Sequence, residues 1–247
     1  MNVLGIDIGG SAIKGAPVDT KTGRLLAERF RIETPEKVTP RRMGALVAEL
    51  ATHFKWRGPV GVGFPGVVHG GVIQTAANLH QGFVDCDVGR LFAHATGCRA
   101  SVINDAAAAG FAEMTFGAGR NFGGKALMLT LGTGVGSVLF YRGAVFPCEF
   151  GHLPFKGRDA EKYVAASVRK AKDLSWPKWG RRLDAYLGLL ENALWPELII
   201  IGGGVSAKHQ KFFPYLQTRA PVVPARFLNE AGIVGAALHA AEAAWQK

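Results

Sequence analysis

The chain has 247 residues, enough for one large domain or two small ones around a real core. Its 48% apolar content excludes a disordered chain, no apolar run is long enough to span a bilayer, and Cys86, Cys98 and Cys148 form neither a disulfide framework nor a CxxC metal knuckle. The formal net charge of +10, from 29 Lys+Arg against 19 Asp+Glu, favours a polyanionic partner such as nucleic acid, a membrane surface or a phosphate-rich substrate, although bases scattered in ones and twos also suit solvated helix faces.

The chain opens on "MNVLGIDIGGSAIKGAPVD", which lacks the basic and apolar leader of a secreted protein, so a cytoplasmic location is expected. Two apolar runs there, Val3 to Ile8 and Ile13 to Val18, predict a hairpin over 3–19, followed by a strand over 24–33. "MGALVAELATHF" repeats apolar residues at helical spacing and predicts a helix over 40–54. "PVGVGFPGVV" reads as a buried strand entering a turn, 88–96 as a short helix, and "ASVIND" as a strand running into the alanine-rich helix "AAAAGFAEM". After the glycine-rich "GRNFGG" a second strand–turn–strand is expected over 126–143, then helices near 159–172 and 176–194. The strand "ELIIIGGG" feeds a further helix, and "NEAGIVGAALHAAEAAW" closes the chain as a helix.

The two ribbons form a faint repeat in which Ile8-Gly9 falls on Leu131-Gly132 and Asp7 on Thr130. Two α/β halves, each with a glycine bend, imply two lobes with a cleft between them, and the glycines of "FGAGRNFGG" allow a hinge.

Glycine at a bend is ordinarily turn chemistry. In "IDIGGSAIK" the flanking residues add more. Gly9 and Gly10 leave backbone N–H groups unshielded for phosphate oxygens, Ser11 and Lys14 add a hydroxyl and a cation, and Asp7 is placed to hold a hydrated Mg²⁺. That is the inventory of phosphoryl transfer, in which catalysis is mostly positioning and charge neutralisation. A Walker loop and a dinucleotide fingerprint are both excluded, because a strand follows. "GTGVG", with Gly132, Thr133 and Gly134, is a second candidate clamp. Asp105 ends "IND" at a strand tip, where it is either the N-cap of the next helix or a base that accepts a hydroxyl proton. In "EFGH", Glu149 and His152 suit either a structural role or a grip on vicinal hydroxyls, with no cysteine at zinc-ligand spacing downstream. "IIIGGG", with Gly203, is either a tight strand-to-helix turn or a surface for a base or phosphate.

"GIDIGGSAIKG", "NDAAAAG", "LTLGTGVGS", "EFGH" and "IIIGGGVS", in this order, resemble the sugar kinases of the repressor–open reading frame–kinase (ROK) family. "WRGPVGVGFPGVV", "TAAN", "WPELIIIGGGVS" and "NEAGIVGAA" are similar to its polyphosphate glucokinase subgroup. The resemblance implies an α/β, two-lobed fold of the actin and hexokinase (ribonuclease H-like) type, with a small domain over 1–106 rejoined by the helix 232–247 and a large domain over 107–231. It also implies Asp105 as general base on the sugar 6-hydroxyl, Asn78, Asn104, Glu149, His152 and Glu161 as sugar ligands, Asp7 as the Mg²⁺ residue, and both bends plus Gly203 on the donor. The Cys-rich zinc loop of the wider family is replaced by "LPFKGRDAEKY", so Mg²⁺ and no zinc is expected. "NLHQGF" departs from the subgroup's usual "NVDKSW", with His80, Gln81 and Phe83 in place of an acid, a lysine and a tryptophan.

The expected partners are glucose and polyphosphate, with ATP as a second donor, in a homodimer that engages neither membrane nor specific nucleic acid. Lys14, Lys125, Arg142, Lys156 and Arg158 are candidates for the polyphosphate track by nearness in sequence to the motifs. The rivals are an ATP-dependent hexokinase for glucose, mannose or another hexose, and a sugar-responsive regulator. Regulators of the family carry a helix-turn-helix ahead of the first strand, which here starts at residue 3.

Overall fold

The structure, a computed structural model, describes residues 1–75 and 79–245. Contacts divide the chain into two compact units, Met1–Ala112 with Glu230–Lys247, and Glu113–Asn229.

In the first unit β1 (Asn2–Ile8) and β2 (Ala12–Asp19) form the expected hairpin, in antiparallel register with Asp7 opposite Lys14. The strand predicted over 24–33 is instead two, β3 (Arg24–Leu25) and β4 (Phe30–Glu33), which pair with β2 on either side of Ala16 and Pro17. Pro17 has no N–H for the ladder, so the edge strand breaks there. α1 (Pro40–His53) starts at a Thr39 cap, and its Met43, Leu46, Val47 and Leu50 are buried. β5 (Val60–Phe64) joins β1 in parallel, the short β6 (Val68–His69) and β7 (Val72–Ile73) pair with each other, and α2 (Val88–Thr96) leads to β8 (Ala100–Asn104), parallel to β5. The sheet order is β3-β2-β1-β5-β8, with β4 also on β2. α3 (Asp105–Phe116) follows β8 directly.

In the second unit β9 (Ala126–Leu131) and β10 (Val135–Tyr141) repeat the hairpin, and β11 (Ala144–Cys148) extends it. The sequence passes through the hairpin β12 (Pro154–Phe155) and β13 (Arg158–Asp159) into α4 (Glu161–Val164), α5 (Ala166–Ala171) and α6 (Trp176–Leu194). β14 (Leu198–Gly202) and β15 (Val222–Pro224) complete a sheet ordered β11-β10-β9-β14-β15. α7 (Ala231–Trp245) closes the chain and belongs to the first unit. Each sheet is thus an antiparallel meander widened by two parallel strands, so the faint repeat is a repeat of topology.

Two expected helices are corrected. The helix over 159–172 is broken, because Asp159 lies in β13 and Ala165 turns extended (ψ 150°) between α4 and α5. The break lets Ser167 N–H reach the Gly132 carbonyl at 3.0 Å, a long-range bond that outcompetes a continuous helix. The helix after "IIIGGG" is 3-10 over Gly204–Lys211, since it starts from Gly203 at φ +79° and is interrupted at Lys208.

Candidate active site

The first bend joins β1 to β2 through Gly9, Gly10 and Ser11. Gly9 N–H donates to the Ala12 carbonyl (3.0 Å) and Thr34 Oγ1 to the Gly9 carbonyl (2.7 Å), which hold the turn. Among the described residues the next two N–H groups, of Gly10 and Ser11, have no partner within the protein, and both residues are exposed. Consecutive free N–H groups make an anion-binding concavity. Asp7 sits at the end of β1, opposite Lys14. Burial pushes its carboxyl up from the ordinary value, with Lys14 pulling the other way. A Cβ on Gly232 would lie 2.7 Å from Asp7 Cγ, so a glycine in the first turn of α7 is what lets this carboxylate reach the positive end of that helix.

The second bend, Gly132 to Gly134, is built alike. Gly132 N–H donates to the Gly134 carbonyl (3.0 Å), and among the described residues the N–H groups of Thr133 and Gly134 have no partner within the protein. Its support is long-range. Ser167 donates from Oγ to the Thr133 carbonyl at 2.6 Å, and the Glu161 carboxylate accepts from Val135 N–H at 3.4 Å, pressed so close to Gly134 that a Cβ there would strike Oε2. A candidate sugar ligand and a candidate phosphate loop therefore share one contact. Gly203 lies against the Leu131 carbonyl, where its missing Cβ permits the close approach.

At the start of α3 the cap is a different residue from Asp105. The cap is Asn104, 9% exposed, whose Oδ1 accepts from Ala107 N–H (3.0 Å) while Nδ2 donates to the Gly66 carbonyl (3.1 Å). Asp105 is the first helical residue, half-buried, with Oδ1 accepting from Ala106 N–H at 2.7 Å. Its carboxylate is not needed as the cap.

In the second unit Glu149 and His152 flank the 3-10 turn Phe150–His152. Ser137 ties it down, accepting from Phe150 N–H (2.9 Å) and donating to the Cys148 carbonyl (2.7 Å), and buried Tyr186 of α6 donates to the Phe150 carbonyl (2.8 Å). Burial raises the Glu149 carboxyl, the His152 side chain lowers it, and the Glu161 charge raises it. His152 lies between two acids, Nε2 3.9 Å from Glu149 and Nδ1 3.8 Å from Asp159. His152, Asp159 and Glu161 present ligand atoms within 4.8 Å of one another. The Lys162 ammonium, 3.0 Å from Asp159, already supplies a cation to that cluster and holds the Asp159 carboxyl below its ordinary value.

Asn78 lies outside the described residues. In "NLHQGF", Phe83 is fully buried against Phe64 (5.2 Å between centroids), and His80 Nδ1 accepts from Gly82 N–H to cap a 3-10 turn. Of the candidate track, Lys125 donates to the Leu194 carbonyl (2.8 Å), Arg142 lies over Tyr141, Lys156 over Phe155, and Arg158 is exposed on β13. Sequence reasoning missed Ser137, Ser167, Tyr186 and Gly232. Ser137 and Gly232 stand inside the quoted segments "LTLGTGVGS" and "NEAGIVGAA" without a role of their own there, Ser167 and Tyr186 stand in none, and each acts on another segment of the chain.

The fold and these bends define a sugar-kinase scaffold of the actin-like hexokinase type. The chain belongs to the ROK family, whose pattern it matches over residues 3–163. It is similar to the polyphosphate glucokinase of Mycobacterium tuberculosis (strain CDC 1551 / Oshkosh), at 45% identity over 95% of this chain and 89% of the relative. It is similar in structure to the inorganic polyphosphate/ATP-glucomannokinase of Arthrobacter sp. strain KM, with a TM-score of 0.94 and 42% identity over 98% of this chain and 99% of that one. The ROK glucokinase of Streptomyces griseus shares the fold, with a TM-score of 0.83 at 22% identity over 98% of this chain and 100% of that one.

Proposed function

We infer that the protein is a glucokinase that moves a phosphoryl group from inorganic polyphosphate to the 6-hydroxyl of glucose. The 45% identity to a polyphosphate glucokinase along nearly the whole chain supports donor and acceptor. One structural observation supports the chemistry: Asn104 caps α3, so the Asp105 carboxylate at the tip of β8 is not required as the cap, and in this reading it takes the hydroxyl proton as the oxygen attacks phosphorus. Asn104, Glu149, His152 and Glu161 hold sugar hydroxyls, together with Asn78. The free N–H groups of each bend, with Ser11, Lys14 and Gly203, receive donor phosphates.

Asp7 fits Mg²⁺ held through water, being a hard oxygen donor whose charge is disfavoured by burial and relieved by a cation. Bound there, Mg²⁺ supplies charge neutralisation on the donor. Lys14 and the positive end of α7 at Gly232 oppose the effect of burial on Asp7. ATP serves as second donor, and the enzyme works in the cytoplasm as a homodimer, which light scattering of the purified protein would check.

A second reading, an ATP-dependent hexokinase that also takes mannose, is supported by the buried Phe83 and by the neighbour named a glucomannokinase. The test is formation of glucose 6-phosphate with each donor. Polyphosphate is expected to support turnover, and Asp105→Asn to lower kcat by about 10²–10⁴-fold while glucose affinity holds. Turnover with ATP alone, or a higher kcat/KM for mannose, would turn the assignment to the second reading. An Asp105→Asn variant of full activity would remove the base.

A further inference from the structure

The second bend continues into a cationic surface that none of the motifs includes. Residues 166–182 contain Arg169, Lys170, Lys172, Lys178, Arg181 and Arg182 against one acid, Asp173, so this stretch carries half of the formal net charge of +10. The 3-10 segment Gly204–Lys211 adds Lys208 and Lys211 with no acid. Among the described residues none of these eight bases forms an ion pair. Asp173 lies four residues after Arg169 and three after Lys170, and Asp184 three after Arg181, yet none of these pairs closes, and Asp184 accepts from Gln217 N–H instead.

Four of the eight, Arg169, Arg181, Arg182 and Lys211, lie over aromatic rings. The Arg169 guanidinium lies 4.0 Å from the Trp176 ring centroid and donates from Nη1 to the Leu174 carbonyl (3.0 Å), while Lys211 Nζ lies over the same ring at 5.9 Å. Trp176 is itself stacked on buried Phe212 (6.0 Å, 17° between planes). Arg181 lies over Tyr215 at 5.9 Å and Arg182 over Tyr163 at 4.5 Å, and Arg182 Nη1 is buried without a hydrogen-bond partner. Cations held in place by rings lose little further rotamer freedom when an anion arrives.

The surface is joined to the bend. Ser167, two residues before Arg169, bonds the Gly132 and Thr133 carbonyls through its N–H and Oγ. A phosphate on the free N–H groups of Thr133 and Gly134 is therefore at the head of a run of fixed cations.

We propose that the face formed by α5, the start of α6 and the segment Gly204–Lys211 binds the distal phosphates of a long polyphosphate chain whose reacting end lies at the second bend. This rests on the donor assignment above and deepens it. It makes affinity depend on chain length: tripolyphosphate reaches the bend alone, whereas a long chain also spans Arg169, Lys172 and Lys211. An extended polyanion without bases needs spaced cations and no reading groups, which is what this face offers.

The test uses the exposed lysines in a Lys172→Glu/Lys211→Glu double variant, with Arg169→Gln as a second variant and Lys21→Glu/Arg41→Glu, on the first unit, as a control of equal charge change. Binding of long-chain polyphosphate and of tripolyphosphate is measured by titration over a salt series, alongside glucose phosphorylation. The double variant is expected to weaken long-chain binding at least tenfold relative to tripolyphosphate and to flatten the salt slope by about one per lysine, while the control keeps the wild-type ratio. An unchanged ratio in both variants, with wild-type turnover on polyphosphate intact, overturns the surface and leaves the donor assignment standing. Long-chain binding lost in the variants of a protein that never turns over with polyphosphate supports the surface and ends the donor assignment. Wild type that binds no long chain overturns both. A single-stranded oligonucleotide of equal charge that binds as tightly, with the same losses, overturns the proposal in favour of nucleic acid.

Discussion

The two glycine bends have the same backbone device and different means of supplying charge to it. At the first, the charged groups are local, with Asp7 preceding the glycines in β1 and Lys14 facing it across the hairpin, while Thr34 and Gly232 contribute from farther along the chain. At the second, Thr130 occupies the place of Asp7, and the carboxylate comes from Glu161 on another element, with Ser167 clamping the turn. The contrast extends to the units around them. Among the described residues the first unit buries the Asn104 amide, whereas the second buries the carboxylates of Glu113 and Glu191, each accepting backbone N–H groups from loops. Loops packed against the sheet must satisfy their N–H groups somehow, and carboxylates from other segments do so here.

The largest effect is expected where that dependence is greatest. Glu113 is fully buried and accepts from Ala118 (2.8 Å), Arg226 (2.8 Å) and Phe227 (2.7 Å) N–H groups. Glu113→Ala strands three donors and should cost about 3–5 kcal/mol in denaturant unfolding. A loss under about 1 kcal/mol would show that the second unit does not rely on its buried acids. Next, Asp7→Asn should lower kcat about a hundredfold and weaken the Mg²⁺ dependence, whereas Thr130→Ala at the matching place should change kcat by less than about threefold. Equal losses would make the two bends equivalent. Third, Gly134→Ala pushes Glu161 off the bend and should raise the glucose KM about tenfold, while Gly10→Ala, with open space around its Cβ, should shift stability by under about 0.5 kcal/mol.

The smallest effect is a pH dependence. The Glu149 carboxyl is raised above 4.5, chiefly by burial, so the folded state holds its proton to higher pH than the unfolded chain does. Its contribution to stability is greatest below 4.5 and falls as pH rises through the folded value. Sugar binding favours the opposite form, since the carboxylate accepts hydroxyl hydrogens more strongly than the protonated carboxyl does. The glucose KM should therefore rise as pH falls through that value, and Glu149→Gln should flatten the profile. A KM unchanged over that range would remove Glu149 from the sugar site.

Much of this was legible before folding. The hairpin at "IDIGGSAIK", α2 and α6 follow from apolar period and glycine placement, which depend on neighbours three or four residues away. The repeat of Ile8-Gly9 in Leu131-Gly132 reflects two sheets of one topology, since a bend between paired strands is specified by a few adjacent residues. The misses are where a distant group intervened. Pro17 on β2 split a strand some ten residues away, and the bond from Ser167 to the second bend broke a helix. Even which residue caps α3 at "IND" was undecidable in one dimension, because both can cap, and the Gly66 carbonyl that anchors the Asn104 amide lies 38 residues away.

By itself, then, the sequence determined the class of fold, the two bends and the acids near them, because each is written in adjacent residues. Only the tertiary structure decided which residue caps α3, which glycine makes room for which carboxylate, and which cations stand together on aromatic rings. Those depend on approach between segments far apart in the chain, where close packing rather than local propensity selects the partner.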